Sequence, residues 1–138
     1  MPHATDFPSA HRRHWDDAEL LFEHRRWAAA DQLYGFSAEC GLKAVMRAHG
    51  VSVAKKHVQD FWPIFEAFLQ GPSGARYLSL LPGGAPFADW SHHDRYAHGR
   101  HFDEAIVERH RAAARGIRGL VALAPPGASH DEPDHPVR

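Results

Sequence analysis

The stretch from residue 27 to residue 49 constrains this chain more than any other segment. It is long and alanine-rich, holds no proline, and ends at Gly50, a residue suited to the left-handed position that follows a helix. Ala30, Ser37, Gly41, Ala44 and Ala48 recur seven, four, three and four residues apart, which puts small side chains on one stripe of a helix and lets a second helix approach closely. Leu33, Phe36, Leu42, Val45 and Met46 fill the flanks. A helix that is apolar on most of its sides belongs in the middle of a bundle.

The remaining segments supply partners for that rod. After a short arm over residues 1–8, Ser9 offers a cap. Trp15, Ala18, Leu21 and Phe22 then recur at helical spacing to about Arg25, with Asp16, Asp17 and Glu23 turned away. Asp60 offers a cap for an aromatic helix carrying Phe61, Phe65 and Phe68, with Pro63 placed in its first turn, where a missing N–H costs little. Gly71, Pro72 and Gly74 end it, Ala75 to Leu81 reads as a short helical piece, and Pro82 to Pro86 reads as a loop. The last helix is expected over Asp103 to Leu123 with Ile106, His110, Ala113, Ile117 and Leu120 inside, and Pro125 and Pro126 stop it. No alternating strand pattern of useful length and no repeat is present. The expectation is one all-α domain, an antiparallel bundle of four to five helices over residues 9–124, with a disordered tail over 125–138.

Composition narrows the function classes. At 138 residues the chain is one domain long, and a formal charge of -1 leaves no global field to attract nucleic acid, so any basic site is local. Cys40 stands alone, which rules out an internal disulfide framework and fits a reducing compartment. The start lacks a basic lead followed by an apolar run, and no stretch reaches the roughly 20 apolar residues of a membrane span. A cytoplasmic protein without a membrane anchor is expected.

Trp27 to Met46, read with Leu33, Gly35, Glu39, Leu42, Lys43 and Ala44 at their spacings, resembles the second helix of HEPN-domain proteins. Asp17-Ala18-Glu19-Leu20-Leu21 is similar to the pattern that family carries in its first helix, and Trp90 followed by Arg95 and Tyr96 is similar to a W-x4-R-Y element of some branches. The likeness spans about residues 9–123. It implies a HEPN-like bundle, a homodimer formed near the motif, frequent association with a minimal nucleotidyltransferase, and roles in toxin–antitoxin or defence systems. On the residues alone, Glu39 and Lys43 stand four apart with the acid first, the favourable order for a helical ion pair; they serve either as a structural pair at the bundle edge or as ligand contacts.

Residues 92–101 hold His92, His93, Asp94, Arg95, Tyr96, His98, Arg100 and His101, a charge of +1 with neutral histidines and +5 with all four protonated. The segment stands just before Asp103, at a helix start, and helix N-termini attract anions, although Asp94, Asp103 and Glu104 reduce the positive charge there. Arg95 and His101 match in type, spacing and place the R-x(4–6)-H motif of metal-independent HEPN ribonucleases. The resemblance implies that histidine would move the proton of an attacking 2′-hydroxyl while arginine stabilised the pentavalent phosphate. Ribonuclease members usually carry a small polar residue after the arginine, where this chain has Tyr96.

The leading expectation is therefore a HEPN-like module that binds a partner protein or a nucleotide or nucleic-acid ligand, with Glu39, Lys43, Trp90, Tyr96 and His98 as ligand-contacting or structural residues. The alternatives are a metal-independent ribonuclease using Arg95 and His101, and a structural dimerisation domain. Neither metal nor cofactor is expected, because His93, His98 and His101 follow no known zinc spacing and no cysteine joins them. His110 is expected to be a satisfied core histidine. Arg111, Arg115 and Arg118 form a basic stripe on the last helix, either a solvated face or a track for phosphates or an acidic partner.

Overall fold

A computed structural model of the chain describes residues 5–51, 57–81, 86–91 and 102–125. In order these form α1 (Phe7–Glu23), α2 (Trp27–Ala48), α3 (Val58–Gln70), a 3₁₀ helix η1 (Ala75–Leu80) and α4 (Glu104–Leu123). No strand occurs among the described residues, and the all-α bundle expected from the periodicity is what is found. None of these helices is long and apolar enough to cross a membrane.

α2 is the rod. Ala30, Tyr34, Ala38, Leu42, Val45 and Met46 are all inaccessible to solvent, and α1 and α4 lie along it. The small stripe works as its spacing suggests at Gly41, where a Cβ would stand 2.6 Å from Ile117 Cγ2 of α4 and 2.8 Å from His11 Nδ1 of α1. Gly41 is thus the point where three helices come closest, and no larger residue fits without displacing one of them.

α1 and α2 form a hairpin across three residues. Arg26 N–H donates to Leu21 O and Arg25 N–H to Phe22 O, the paired bonds of a Schellman turn, with Arg25 at φ 59°. α2 ends in the same motif: Val51 N–H donates to Met46 O, Gly50 N–H to Arg47 O, and Gly50 takes φ 81°, as its position predicted. One turn thus uses glycine in the left-handed region and the other forces an arginine into it.

Two helix starts and one helix face depart from expectation. α1 begins at Phe7, inside the expected arm, because Asp6 rather than Ser9 is the cap: Asp6 Oδ1 accepts Ser9 N–H at 2.9 Å. α3 begins at Val58 and not at Asp60, which falls in its first turn, so Pro63 moves into the second turn and removes a donor there. In α4 the inner stripe includes Val107, while Ile106 is only half-buried; His110, Ala113, Ile117 and Leu120 are inside as expected, and Asp103 is the cap, accepting Ile106 N–H at 2.9 Å.

Candidate functional site

Four residues of α2, each four after the last, face four different tasks: Asp31, Gly35, Glu39 and Lys43. Such spacing makes a single slanted ridge. Asp31 is buried, and its Oδ1 lies 2.6 Å from His110 Nδ1 of α4. The other ring nitrogen, Nε2, lies 2.7 Å from Asp89 Oδ1, and Asp89 Oδ2 pairs with Arg109 Nη1 at 2.8 Å. With a carboxylate at each nitrogen, His110 donates twice only as the imidazolium. Burial opposes that charge, but the hydrogen bonds and charges of Asp31 and Asp89 outweigh it and raise the histidine's pKa above its ordinary value. For Asp89 burial again works the other way, and the bonds from His110 and Arg109 hold its pKa below the usual carboxylate range.

This charged row fixes the turn over residues 86–91. Phe87 stacks on the His110 ring, with centroids 5.4 Å apart at 18°. Trp90, 1 % exposed, donates its indole N–H to Asp31 O at 3.0 Å, and Gln32 Nε2 donates to Ser91 O at 3.0 Å. Gly35 makes room for the indole: a Cβ there would lie 1.9 Å from Trp90 Cε2. Trp90, a candidate ligand or structural residue by sequence, is bound into the bundle by its ring and its N–H.

Glu39 and Lys43 are both nearly buried and form the expected i,i+4 pair, though at a long 3.9 Å. The shorter contacts of Glu39 run to α3. Its Oε1 accepts Val58 N–H at 2.9 Å, the first amide of that helix, and faces His57 Nδ1 at 3.1 Å. The sequence offers Asp60 as the cap of α3; a carboxylate from another helix performs part of that work. The charge at an N-terminus is favourable for the helix dipole as well. Of its two open readings, Glu39 fits the structural one.

The basic stripe divides. Arg111 is locked: Nε donates to Glu19 Oε2 at 2.8 Å and Nη1 to Glu108 Oε1 at 3.1 Å, and its guanidinium lies 4.4 Å from the Phe22 ring centroid. Tyr34 O–H donates to the same Glu19 oxygen at 2.6 Å. Although burial works against it, Arg111 and Tyr34 hold the Glu19 pKa below the usual carboxylate range, while burial and Glu19 push that of the Tyr34 phenol up. Arg115 and Arg118 are exposed and lie over one ring, Trp15, at 5.1 Å for Arg118 and 5.9 Å for Arg115. The last turn of α4 carries no basic residue, so the stripe does not complement that helix end.

Arg95, Tyr96, His98 and His101 lie outside the described residues, as do His92, His93 and Arg100. The chain is fixed on both sides of them, by Trp90 and Ser91 before and by buried Phe102 and the Asp103 cap after. Among the described residues no group of three or more His, Cys, Asp or Glu side chains is placed to hold a metal ion. His110 illustrates why: its two nitrogens point to different carboxylates and cannot share a ligand with them.

Asp31, Asp89 and Arg109 are not among the site residues expected from the sequence, and Gly35 enters only as part of the α2 pattern. Asp31 offers one faint signal, an acid on a helix otherwise apolar at that turn; Asp89 beside Trp90 offers none. An open cavity of about 370 Å³ beside the α1–α2 turn, lined by Arg25, Arg26, Trp27, Ala28 and Ala29, contains none of the expected site residues. No protein-family model matches the chain, and comparison with characterised proteins and with solved structures yields no match either.

Proposed function

We propose that this chain is a HEPN-like helical module of the cytoplasm that acts as a homodimer and binds a partner protein or a nucleotide-type ligand through the segment carrying Arg95 and Tyr96. One observation supports the reading above the others. The residues that carry the resemblance, Gly35, Glu39 and Lys43 on α2 and Trp90 beyond α3, are tied together: Gly35 receives Trp90, and Glu39 receives the start of α3. Such contacts are consistent with a framework role for the pattern, and the histidine- and arginine-rich residues 92–101 follow Trp90 and precede Phe102 in the sequence, both of them buried. In such a module the framework positions and the segment binds. A minimal nucleotidyltransferase, in a toxin–antitoxin arrangement, is the partner the resemblance implies.

A second reading, favoured by the R-x5-H spacing, makes Arg95 and His101 the pair of a metal-independent ribonuclease. Purified protein incubated with RNA in EDTA separates the two. The binding-module reading expects intact RNA, a dimer in solution by light scattering, and equal behaviour of His101→Ala. RNA degradation that His101→Ala abolishes without loss of helical signal overturns it in favour of the enzyme, and a monomer at all concentrations removes the dimer.

A further inference from the structure

Two of the four arginines of α4 are spoken for. Arg109 pairs with Asp89, and Arg111 is bonded to Glu19 and Glu108. Arg115 and Arg118 differ: among the described residues no carboxylate oxygen lies within 4.0 Å of either, nor of Arg12, exposed on the neighbouring α1. Yet they are not loose. Both guanidinium groups lie over the indole of Trp15, itself 4 % exposed, so two like charges are gathered on a single buried ring. The Arg118 charge also bears on buried His11 of α1, where, with burial as the larger cause, it lowers the imidazole's pKa. Glu19, the partly exposed acid whose charge reaches Arg115, is already bonded by Arg111 and Tyr34.

Two cations gathered on one ring with no carboxylate within 4.0 Å repel each other, although the Glu19 charge reaches Arg115, and an anion that spans them relieves the repulsion. A stacked guanidinium turns its N–H edge outward in a fixed plane, which suits phosphate oxygens better than a mobile ammonium does. Residues three apart on a helix are neighbours, about 5–6 Å between Cβ atoms, close enough to serve one phosphate or two successive ones. A protein partner would need an apolar centre beside the charges. Of the exposed large apolar residues among those described, Ile64 and Leu78 stand on α3 and η1, and Leu20 and Leu123 each stand five residues, more than a turn, from Trp15 and Arg118 on their helices.

We infer that Arg115 and Arg118, stacked on Trp15 at the α1–α4 seam, form a contact surface for the phosphodiester backbone of a nucleic-acid strand. The surface deepens the proposed ligand-binding reading and rests on it for biological meaning, but it is built on other residues and fails separately. Contact of this kind reads charge and not sequence, so oligouridylate and oligothymidylate of equal length serve equally as probes.

Fluorescence polarisation with labelled strands of about 20 nucleotides, over a potassium chloride series, tests the surface. Wild type is expected to bind both strands, with affinity falling as salt rises. Arg115→Gln/Arg118→Gln is expected to weaken binding about 10- to 100-fold at low salt and to flatten the log–log salt slope by about 1.4, at roughly 0.7 for each phosphate no longer neutralised. Arg13→Gln/Arg26→Gln removes equal charge elsewhere and is expected to cost less than about threefold; thermal melts confirm that both variants fold. Equal loss in the two double variants, no binding by wild type, or labelled oligoglutamate bound as tightly as the nucleic acids overturns the inference. If Arg95→Ala abolishes binding while Arg115→Gln/Arg118→Gln does not, the surface fails and the proposed module stands. The reverse result supports the surface and removes residue 95 as the ligand contact.

Discussion

Gly35→Ala puts the packing around Trp90 to a test in which two physical effects have opposite signs. Within a helix, alanine is better than glycine by about 1 kcal/mol, so the substitution taken alone stabilises α2. The added Cβ, however, would stand 1.9 to 2.3 Å from three atoms of the Trp90 indole, and that ring has no free space to retreat into: it is 1 % exposed, edge-on to Phe36 at 5.4 Å, and bonded to Asp31 O. Expelling it forfeits most of a buried tryptophan, about 3–5 kcal/mol on the scale of Trp→Ala truncations. The net is a loss of about 2–4 kcal/mol. Gly119→Ala is the internal control, since its Cβ would meet only Leu80 methyls at 3.6 and 3.9 Å; the helix term prevails and a gain of about 0.5–1 kcal/mol is expected. Urea unfolding followed by far-ultraviolet circular dichroism reads both, as midpoint shifts of opposite direction at constant slope. Should Gly35→Ala be as stable as Gly119→Ala, the indole does not lie against Gly35 and the reading of the Asp31–Gly35–Glu39 ridge as a framework is wrong.

Stability should also depend on pH through His110. Its pKa is raised in the fold, so its contribution is complete below the unfolded value of about 6.5 and is lost as pH climbs through the folded value, at up to about 1.4 kcal/mol per pH unit. His11, whose pKa burial lowers, acts in the opposite sense below about 6.5, so the alkaline limb of the profile reports His110; His110→Gln should flatten it. His110→Leu leaves Asp31 buried opposite an apolar group and should cost about 3–5 kcal/mol, with Asp31→Leu/His110→Leu recovering most of it; an additive double variant in chemical unfolding contradicts the pairing. Glu39→Ala orphans the buried Val58 amide and should cost about 1–3 kcal/mol, while Glu39→Gln keeps an acceptor and recovers part, read from thermal unfolding. Arg25→Gly relieves a left-handed arginine and should gain up to about 1 kcal/mol; a loss of stability would mean that Arg25 contributes through its side chain.

Local information in the sequence determined the helices. The period of apolar residues fixed α1, α2 and α4 to within a few residues, Gly50 and Asp103 marked their turn and cap, and the apolar character of residues 27–49 on most sides put α2 at the centre, because each of these follows from the geometry of one helix. Partnership was decided elsewhere. Ser9 and Asp60 are as good caps as Asp6 by type, and only the folded chain brings Glu39 to the start of α3. Arg111, Arg115 and Arg118 look equivalent along α4, yet Glu19 of α1 claims the first and Trp15 carries the other two. Asp31 and Asp89 stand 79 and 21 residues from His110 and meet around its imidazole. Spacing along a chain specifies which face of a helix a residue occupies; which side chain waits opposite depends on how the helices cross, and that is settled by the packing of the whole core.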